Sequence, residues 1–204
     1  MFYNEGGITI PMIHLFLSIT IVAGHAQATE PLAIHDIDGN QQIVIDSNSV
    51  APQSVKKATV LIFINTDCPI ANSYHPALKR LADEFCGLHE NCDCRLILVH
   101  ANPSLTVPEV RTHQQDFDIQ LPIVLDPDQR IAKTLKALVT PKAIVIDPAG
   151  NVLYRGRIDD RYAMIGKKRA VPQREVLRLA LRAIADGQPV EVSTTQAIGC
   201  RIAY

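Results

Sequence analysis

The sequence has no tryptophan, and aromatic residues make up 5 % of its 204 residues. Its core must therefore consist mainly of Ile, Leu, Val and Ala, within a hydrophobic fraction of 47 % that is typical of globular proteins. An excess of positive charge is also lacking, because 20 Lys and Arg face 21 Asp and Glu, a formal net charge of −1. Without a basic surface to neutralise phosphates, we expect no binding of nucleic acid.

Several common catalytic signatures are missing as well, among them a Ser-His-Asp arrangement, glycine-rich phosphate loops and nucleotide-binding fingerprints. We therefore expect no bound cofactor, and the cysteines become the main candidates for chemistry. The chain has five of them: Cys68, Cys86, Cys92, Cys94 and Cys200. Because five is an odd number, at least one thiol is free or pairs with another molecule.

The N-terminus differs in kind from the rest of the chain. Residues 8–24 are almost wholly apolar and are followed at 26–28 by Ala-Gln-Ala, the small-x-small pattern that signal peptidase accepts. The run is short for a membrane span, which needs about 20 apolar residues. No Lys or Arg precedes it, a feature that a translation start at Met12 would account for.

We predict that residues 1–28 are a signal peptide and that residues 29–204 form a single domain. The alternative is an uncleaved anchor, through which the protein would contact a membrane. Both alternatives predict export, to the periplasm or the cell envelope, where thiols can persist as disulfides.

The remainder of the chain alternates strands with helices. Strands are predicted at 42–46, 58–65, 95–100, 122–125, 143–147 and 152–158. Helices are predicted at 69–88, 108–117, 129–138 and 172–185, the last of them capped by Gly187. This order predicts an α/β fold, and the final hairpin adds antiparallel strands that make the central sheet mixed.

Cys68 lies where a buried strand ends and a helix begins. Pro69 suits the first helical position, so Cys68 falls at the N-cap. Unpaired backbone N–H groups and the helix dipole favour the thiolate there, while the neighbouring carboxylate of Asp67 opposes it. We interpret Cys68 as a moderately activated nucleophile; the alternative is a buried structural cysteine.

Several segments resemble known families. Asn65–Asn72 (NTDCPIAN), followed by a helix, resembles the active-site region of the thioredoxin superfamily, and Thr140–Ala143 resembles its cis-proline loop. Ala143–Gly156 resembles the hairpin of the redoxin branch, the alkyl hydroperoxide reductase and thiol-specific antioxidant relatives. Tyr154–Tyr162, together with Gly199–Ile202, is similar to a group of exported redoxin-domain proteins.

The resemblance implies a thioredoxin-like fold, with a central mixed sheet flanked by helices on both faces. It implies a cis peptide bond at Pro141 and a substrate-binding site that includes Thr140 and Pro141. Pro69 and Asn72 join this predicted site because they lie beside Cys68 on the helix. The implied partner is a protein or small molecule that carries a disulfide or a thiol.

Departures from the family patterns limit this chemistry. A thioredoxin has Cys-x-x-Cys, but Ala71 stands where the second cysteine would be. A peroxiredoxin has a proline seven residues and a threonine three residues before its cysteine, and Leu61 and Asn65 occupy those positions.

The sequence is therefore compatible with three functions. A thiol–disulfide oxidoreductase is favoured, a divergent peroxidase acting on peroxide is the second candidate, and a non-catalytic binding or metal-carrying module is the third. In the third case Cys68 would bind copper with a histidine such as His100, a poor ligand set for soft copper.

The other cysteines have separate expectations. Cys200 lies in the C-terminal tail and is our candidate resolving thiol for Cys68; the alternatives are a fixed structural disulfide or a tail cysteine with no partner. Cys86 is expected to form a disulfide with Cys92 or Cys94 that closes a loop. A zinc site is disfavoured because the spacing matches no common zinc module, so no metal is predicted.

Two histidines are not expected to take part in the chemistry. His75 lies seven residues beyond Cys68, roughly 10 Å along a helix, and is predicted at the surface. His100 ends a buried strand and is predicted to be structural.

Overall fold

A computed structural model describes Met1 and residues 32–45, 57–86 and 94–204. The predicted signal peptide at 1–28 therefore lies, apart from Met1, outside the described residues. Within the described ranges, no helix is long and apolar enough to cross a membrane.

The secondary structure follows the predicted alternation. The strands are β1 (Leu32–His35), β2 (Gln41–Ile45), β3 (Ala58–Ile64), β4 (Cys94–His100), β5 (Ile123–Leu125), β6 (Val139–Thr140), β7 (Lys142–Ile146), β8 (Val152–Gly156), β9 (Tyr162–Met164), β10 (Lys167–Lys168) and β11 (Cys200–Arg201). The helices are α1 (Pro69–Asn72), α2 (His75–Phe85), α3 (Val107–Asp116), α4 (Arg130–Thr134) and α5 (Val176–Ala185).

A five-stranded sheet forms the centre, in the order β5-β4-β3-β7-β8. β3 runs parallel to β4, and β4 runs parallel to β5. β7 is antiparallel to both β3 and β8. The predicted α/β class with a mixed central sheet is therefore confirmed. The strand predicted at 42–46 is β2, which pairs with β1 in a separate two-stranded sheet.

Two hydrophobic clusters cover the two faces of the sheet. Because side chains alternate along a strand, β3 contributes Val60 and Ile62 to the first cluster and Leu61 and Phe63 to the second. Helices α2, α3 and α5 pack into the first cluster, and α4 packs into the second. Every residue of β3 is buried, which explains why its sequence is almost continuously apolar.

The helix predicted at 69–88 is in fact two helices, α1 and α2. Proline at position 76 lies in the first turn of α2, where its missing N–H is tolerated. A continuous helix would force the ring of Pro76 against the carbonyl of Asn72, so the chain turns at Ser73 and Tyr74 and starts again.

The last helix begins later than predicted, at Val176 rather than at 172. The backbone N–H groups of Gln173 and Arg174 donate to Asp160 Oδ1 at 2.7 and 3.0 Å, and this holds the preceding segment outside the helix. Gly187 follows the helix at φ +66°, in the left-handed region that favours glycine, which confirms the predicted cap.

The C-terminal segment returns across the sheet after α5. Thr195 lies against the end of β8, where its Oγ1 accepts from the N–H of Arg157 at 3.0 Å and hydrogen-bonds the hydroxyl of Tyr154 at 2.7 Å. The chain then reaches β11, which pairs with β6. The final residues are thereby brought beside the junction between β3 and α1.

Candidate active site

Cys68 is the N-cap of α1, as the sequence predicts. Its backbone is extended at φ −93° and ψ 102°, and Pro69 starts the helix. The N–H of Ala71 donates to Cys68 Sγ at 3.4 Å, and Cys68 N–H donates to the carbonyl of Asn65 at 3.1 Å. The side chain is 0 % exposed, so the sulfur is fully enclosed in this state.

The predicted cis-proline loop lies directly against this sulfur. The bond between Thr140 and Pro141 is cis, as the resemblance implies. In its thiol form Cys68 donates to the carbonyl oxygen of Thr140 at 3.1 Å. Thr140 itself is buried, at the end of the short strand β6.

The C-terminal tail lies on the same loop. In the antiparallel pairing of β11 with β6, Cys200 is opposite Thr140 and Arg201 is opposite Val139. A Cβ at Gly199 would lie 1.9 Å from the carbonyl oxygen of Thr140, so only glycine permits this approach. The structure therefore brings together the two cysteines that the sequence nominated as a long-range pair.

The two thiols have opposite pKa shifts. Burial raises the pKa of Cys68, but the neighbouring Cys200 and the hydrogen bond from the N–H of Ala71 outweigh it and hold the pKa below its ordinary value. Burial, the hydrogen bond to Cys68 and the charge of that thiolate raise the pKa of Cys200 to about 11. The pair titrates jointly, and Cys68 is the first of the two thiols to lose its proton as the pH rises.

Asn72 donates its backbone N–H to the carbonyl of Cys68 at 2.9 Å, but its side chain is bonded elsewhere and not to the sulfur. Its amide nitrogen donates to the carbonyl of Thr66 at 2.7 Å, and its amide oxygen is 3.0 Å from Nε2 of His113. This side chain therefore links α1 to the preceding turn and to α3, which makes it a structural support for the helix that starts at Cys68.

Three histidines form a buried cluster, which we call the histidine cluster: His75, His100 and His113. The rings of His75 and His113 are 5.3 Å apart between centroids, and those of His100 and His113 are 5.7 Å apart. The prediction of a surface position for His75 was wrong, since it is 6 % exposed. The interruption at Pro76 restarts α2, and in the restarted helix this side chain packs beside α3.

The remaining cysteines flank a loop. Cys86 follows the last residue of α2 and is half-buried, and Cys94 begins β4 and is buried. Cys92 lies outside the described residues, so the disulfide from Cys86 to Cys92 or Cys94 stays a prediction. Among the residues that the structure describes, no group of three or more His, Cys, Asp or Glu is placed to hold a metal ion.

Arg161 lies behind the junction and not against the sulfur. Its guanidinium pairs with Asp159 at 3.2 Å and stands 5.0 Å above the ring of Tyr74. Asp159 also accepts from the hydroxyl of Tyr74 at 2.7 Å. These contacts anchor the turn between α1 and α2, and no local sequence signal points to them.

Solved structures share this architecture. An uncharacterized conserved protein from Geobacillus kaustophilus is 25 % identical with a TM-score of 0.68, over 86 % of this chain and 89 % of that one. A hypothetical protein from Sinorhizobium meliloti 1021 is 22 % identical with a TM-score of 0.67, over 85 % and 90 %. The dsbF protein of MTB is 16 % identical with a TM-score of 0.51, over 76 % and 95 %.

The sequence comparisons address the family. No curated protein matches the chain. The AhpC/TSA family matches residues 35–155, more than half of the chain, and this range includes Cys68 and the Thr140–Pro141 loop. The predicted thioredoxin-like fold is confirmed, and the chain belongs to the AhpC/TSA family.

Proposed function

We propose that the protein is an exported thiol–disulfide oxidoreductase in which Cys68 is the nucleophile and Cys200 is the resolving thiol. The observation that carries this proposal is that both cysteines meet at the cis-proline loop: Cys68 Sγ is 3.1 Å from the carbonyl oxygen of Thr140, and Cys200 pairs with Thr140 across β11 and β6. Ala71 occupies the position of the second cysteine of a Cys-x-x-Cys motif, and Cys200, far along the chain, would take the role of that cysteine.

The electrostatics agree with these roles. A nucleophile needs thiolate character, and the pKa of Cys68 is lowered by the groups that donate to it. The resolving thiol should stay protonated until the mixed disulfide has formed, and the pKa of Cys200 is raised to about 11 by burial and by the Cys68 thiolate. Once Cys68 is engaged in a mixed disulfide its charge is gone, and Cys200 loses its proton more readily.

The proposed reaction has two exchange steps. The Cys68 thiolate attacks one sulfur of a substrate disulfide, and the other sulfur leaves as a thiolate that takes up a proton. Cys200 then loses its proton and attacks the Cys68 sulfur of the mixed disulfide, which releases the second substrate thiol. A Cys68–Cys200 disulfide remains, and two electrons have passed from the protein to the substrate. The same steps in reverse oxidise a dithiol.

The proposed partner is a protein or small molecule with a disulfide or a thiol. We propose that Pro69, which follows Cys68, and Thr140 and Pro141 of the cis-proline loop contact this partner. Export is proposed from the apolar run at 8–24 and the Ala-Gln-Ala that follows. We expect N-terminal sequencing of the mature protein to begin at Thr29; a start at Met1 or Met12 would contradict cleavage.

Disulfide mapping by mass spectrometry tests the redox roles. Reduced protein mixed with one equivalent of oxidised glutathione should acquire a Cys68–Cys200 bridge and release both glutathione thiols. Cys200→Ser should stop at a mixed disulfide on Cys68, and Cys68→Ser should release nothing, because each step then lacks its thiol. Cys86→Ser is the control and should behave like the wild type.

Two outcomes would reject these assignments. One is release of both thiols by Cys200→Ser at the wild-type rate, which would remove Cys200 from the reaction. The other is a Cys68 that remains unmodified while another cysteine reacts, which would make it a structural residue.

Membership of the AhpC/TSA family favours thiol peroxidase activity as the second candidate. Peroxide would oxidise Cys68 to a sulfenic acid, and Cys200 would condense with it to a disulfide with loss of water. Asn65 provides no hydroxyl to position the peroxide, so we expect slow consumption of hydrogen peroxide. Rapid consumption that Cys68→Ser abolishes would reverse the ranking of the two activities.

A further inference from the structure

Residues 199–204, which we call the tail strap, cover the candidate active site. Cys68 is 0 % exposed, its sulfur is 3.1 Å from the Thr140 carbonyl oxygen, and Cys200 of the strap pairs with that same Thr140. A sulfur in this position cannot meet the disulfide of a second molecule, because thiol–disulfide exchange needs direct access to the attacking thiolate. The proposed chemistry therefore requires that the segment covering Cys68 moves away from its sulfur.

The tail strap is held by the main chain of the cis-proline loop. Cys200 and Arg201 pair with Thr140 and Val139, and the N–H of Ile202 donates to the carbonyl of Leu138 at 3.0 Å. An extended peptide that bound at the same edge by strand addition would need the same backbone groups. A single strand edge cannot pair with two partners at once.

From these observations we infer that the tail strap is an internal substitute for a bound peptide, which must detach before a disulfide-bearing polypeptide reaches Cys68. The inference rests on the proposed oxidoreductase function and adds its regulation. Re-pairing of the strap with β6 would also bring Cys200 back to the Cys68 sulfur for the resolving step.

The attachment is suited to reversible release. β11 is two residues long, and the exposed residues Arg201, Ala203 and Tyr204 surround the half-buried Ile202. A cleft of about 130 Å³ lies beside the strap, between residues 64–65 and 101–103 and the strap residues 201–203. Further contacts come from Gln129, which donates to the carbonyl of Ala203, and from the hydroxyl of Tyr204, which donates to Ala137.

Oxidation and reduction then control the strap. A Cys68–Cys200 disulfide ties it over the site, so the oxidised protein is closed to further peptide. A dithiol reductant would attack the half-buried sulfur of Cys200, and Cys68 would leave as the thiolate because its pKa is the lower. The second thiol of the reductant then displaces Cys200 as a thiol, and the reductant becomes a disulfide.

Alkylation of Cys68 in the fully reduced protein measures release of the strap. Gly199→Ala puts a Cβ 1.9 Å from the Thr140 carbonyl and should raise the plateau rate of Cys68 alkylation by iodoacetamide at high pH about tenfold or more. The rates are compared at high pH, where Cys68 is fully ionised in every variant, because a detached strap also changes the pKa of Cys68. Gly166→Ala is the matched control, because its Cβ meets nothing within 4 Å and the strain of alanine at φ +80° falls on the turn between β9 and β10 and not on the strap.

A second pair of variants guards against a general folding defect. Ile202→Ser weakens packing of the strap on the second cluster, and Val192→Ser makes the same kind of change at an exposed residue. Faster alkylation in Gly199→Ala and Ile202→Ser, with melting temperatures like those of their controls, supports the strap. Equal alkylation rates in all four variants and the wild type overturn it.

The two proposals can fail separately. Alkylation needs no disulfide substrate, so unchanged rates would remove the strap while glutathione exchange could still establish the oxidoreductase. Conversely, accelerated alkylation in Gly199→Ala, in a protein that exchanges no disulfide, would retain the strap and reject the proposed activity.

Discussion

Acidification from pH 7 to about pH 4 is expected to lower the free energy of unfolding by several kcal/mol, through the histidine cluster. Burial and the neighbouring charge of His113 lower the pKa of His75 to about 4, and burial with the charges of His113 and His75 lowers the pKa of His100 to about 3. Burial also lowers the pKa of His113, although the charges of Asp116 and Asp67 oppose it.

The sign follows from proton linkage. A histidine in the unfolded chain binds its proton below an ordinary pKa of 6.5, whereas these folded histidines stay neutral to lower pH. Between those pH values the unfolded state binds more protons, so stability is present above pH 6.5 and is lost as the pH falls. At 1.36 kcal/mol per pKa unit, His75 alone contributes a loss of about 3 kcal/mol by pH 4.

The geometry explains why the folded cluster rejects protons. Both ring nitrogens of His100, Nε2 of His75 and Nδ1 of His113 are buried with no hydrogen-bond partner in the part of the chain that the structure describes. A positive charge on any of these rings would lack an acceptor and would repel the other two rings once they are charged. Protonation is therefore coupled to opening of the interface between α2, β4 and α3.

Urea unfolding at several pH values between 7 and 4 measures the effect. His100→Leu should make the decline in the free energy of unfolding shallower, because it removes one titrating group and two unpartnered nitrogens. Comparison with the wild type cancels the contribution of carboxylates that also titrate near pH 4. His35→Leu, at an exposed histidine, is the control. An identical pH dependence in His100→Leu and the wild type would contradict this account.

The cysteine junction was predictable from the sequence because its determinants are local. A buried apolar strand followed by Cys-Pro fixes both the strand end and the helix start, and Cys68 is the N-cap as predicted. The mixed sheet was predictable for a similar reason, since the hairpin from 143 to 156 has its strands and its turn in one short segment.

The histidine cluster could not be predicted in the same way. Its members come from α2, β4 and α3, and they meet because Pro76 interrupts the helix that begins at Cys68. A continuous helix would have changed the direction of His75. The meeting of Cys68 and Cys200 likewise depends on a path of more than a hundred residues, so the sequence left it as one of several alternatives.

Removal of the Asp159 carboxylate is expected to give the largest loss of stability from a single substitution at the active-site junction. Asp159 is 3 % exposed and accepts from the hydroxyl of Tyr74 at 2.7 Å, from the N–H of Arg161 at 2.8 Å and from its guanidinium at 3.2 Å. Asp159→Ala leaves a largely buried arginine and a buried hydroxyl unpaired, a change that costs about 3–5 kcal/mol.

Equilibrium denaturation of Asp159→Ala and two comparison variants separates the contribution of the ion pair from that of the Tyr74 hydroxyl. Tyr74→Phe removes one hydroxyl and leaves the ion pair, so its loss should be about 1–2 kcal/mol. Asp128→Ala, at an exposed aspartate, should stay within about 0.5 kcal/mol of the wild type. A loss in Asp159→Ala no larger than that of Asp128→Ala would show that the ion pair contributes nothing to folding.

The position of this network connects its stability to the chemistry. Arg161 donates to the carbonyl of Ser73 at 3.5 Å, and the hydroxyl of Tyr162 is 3.0 Å from Oγ of Ser73, directly after α1. Without Asp159, the turn that ends α1 loses its contacts with Arg161 and Tyr162, while the tail strap still covers Cys68. Asp159→Ala should therefore destabilise the fold without the tenfold rise in Cys68 alkylation that defines release of the strap.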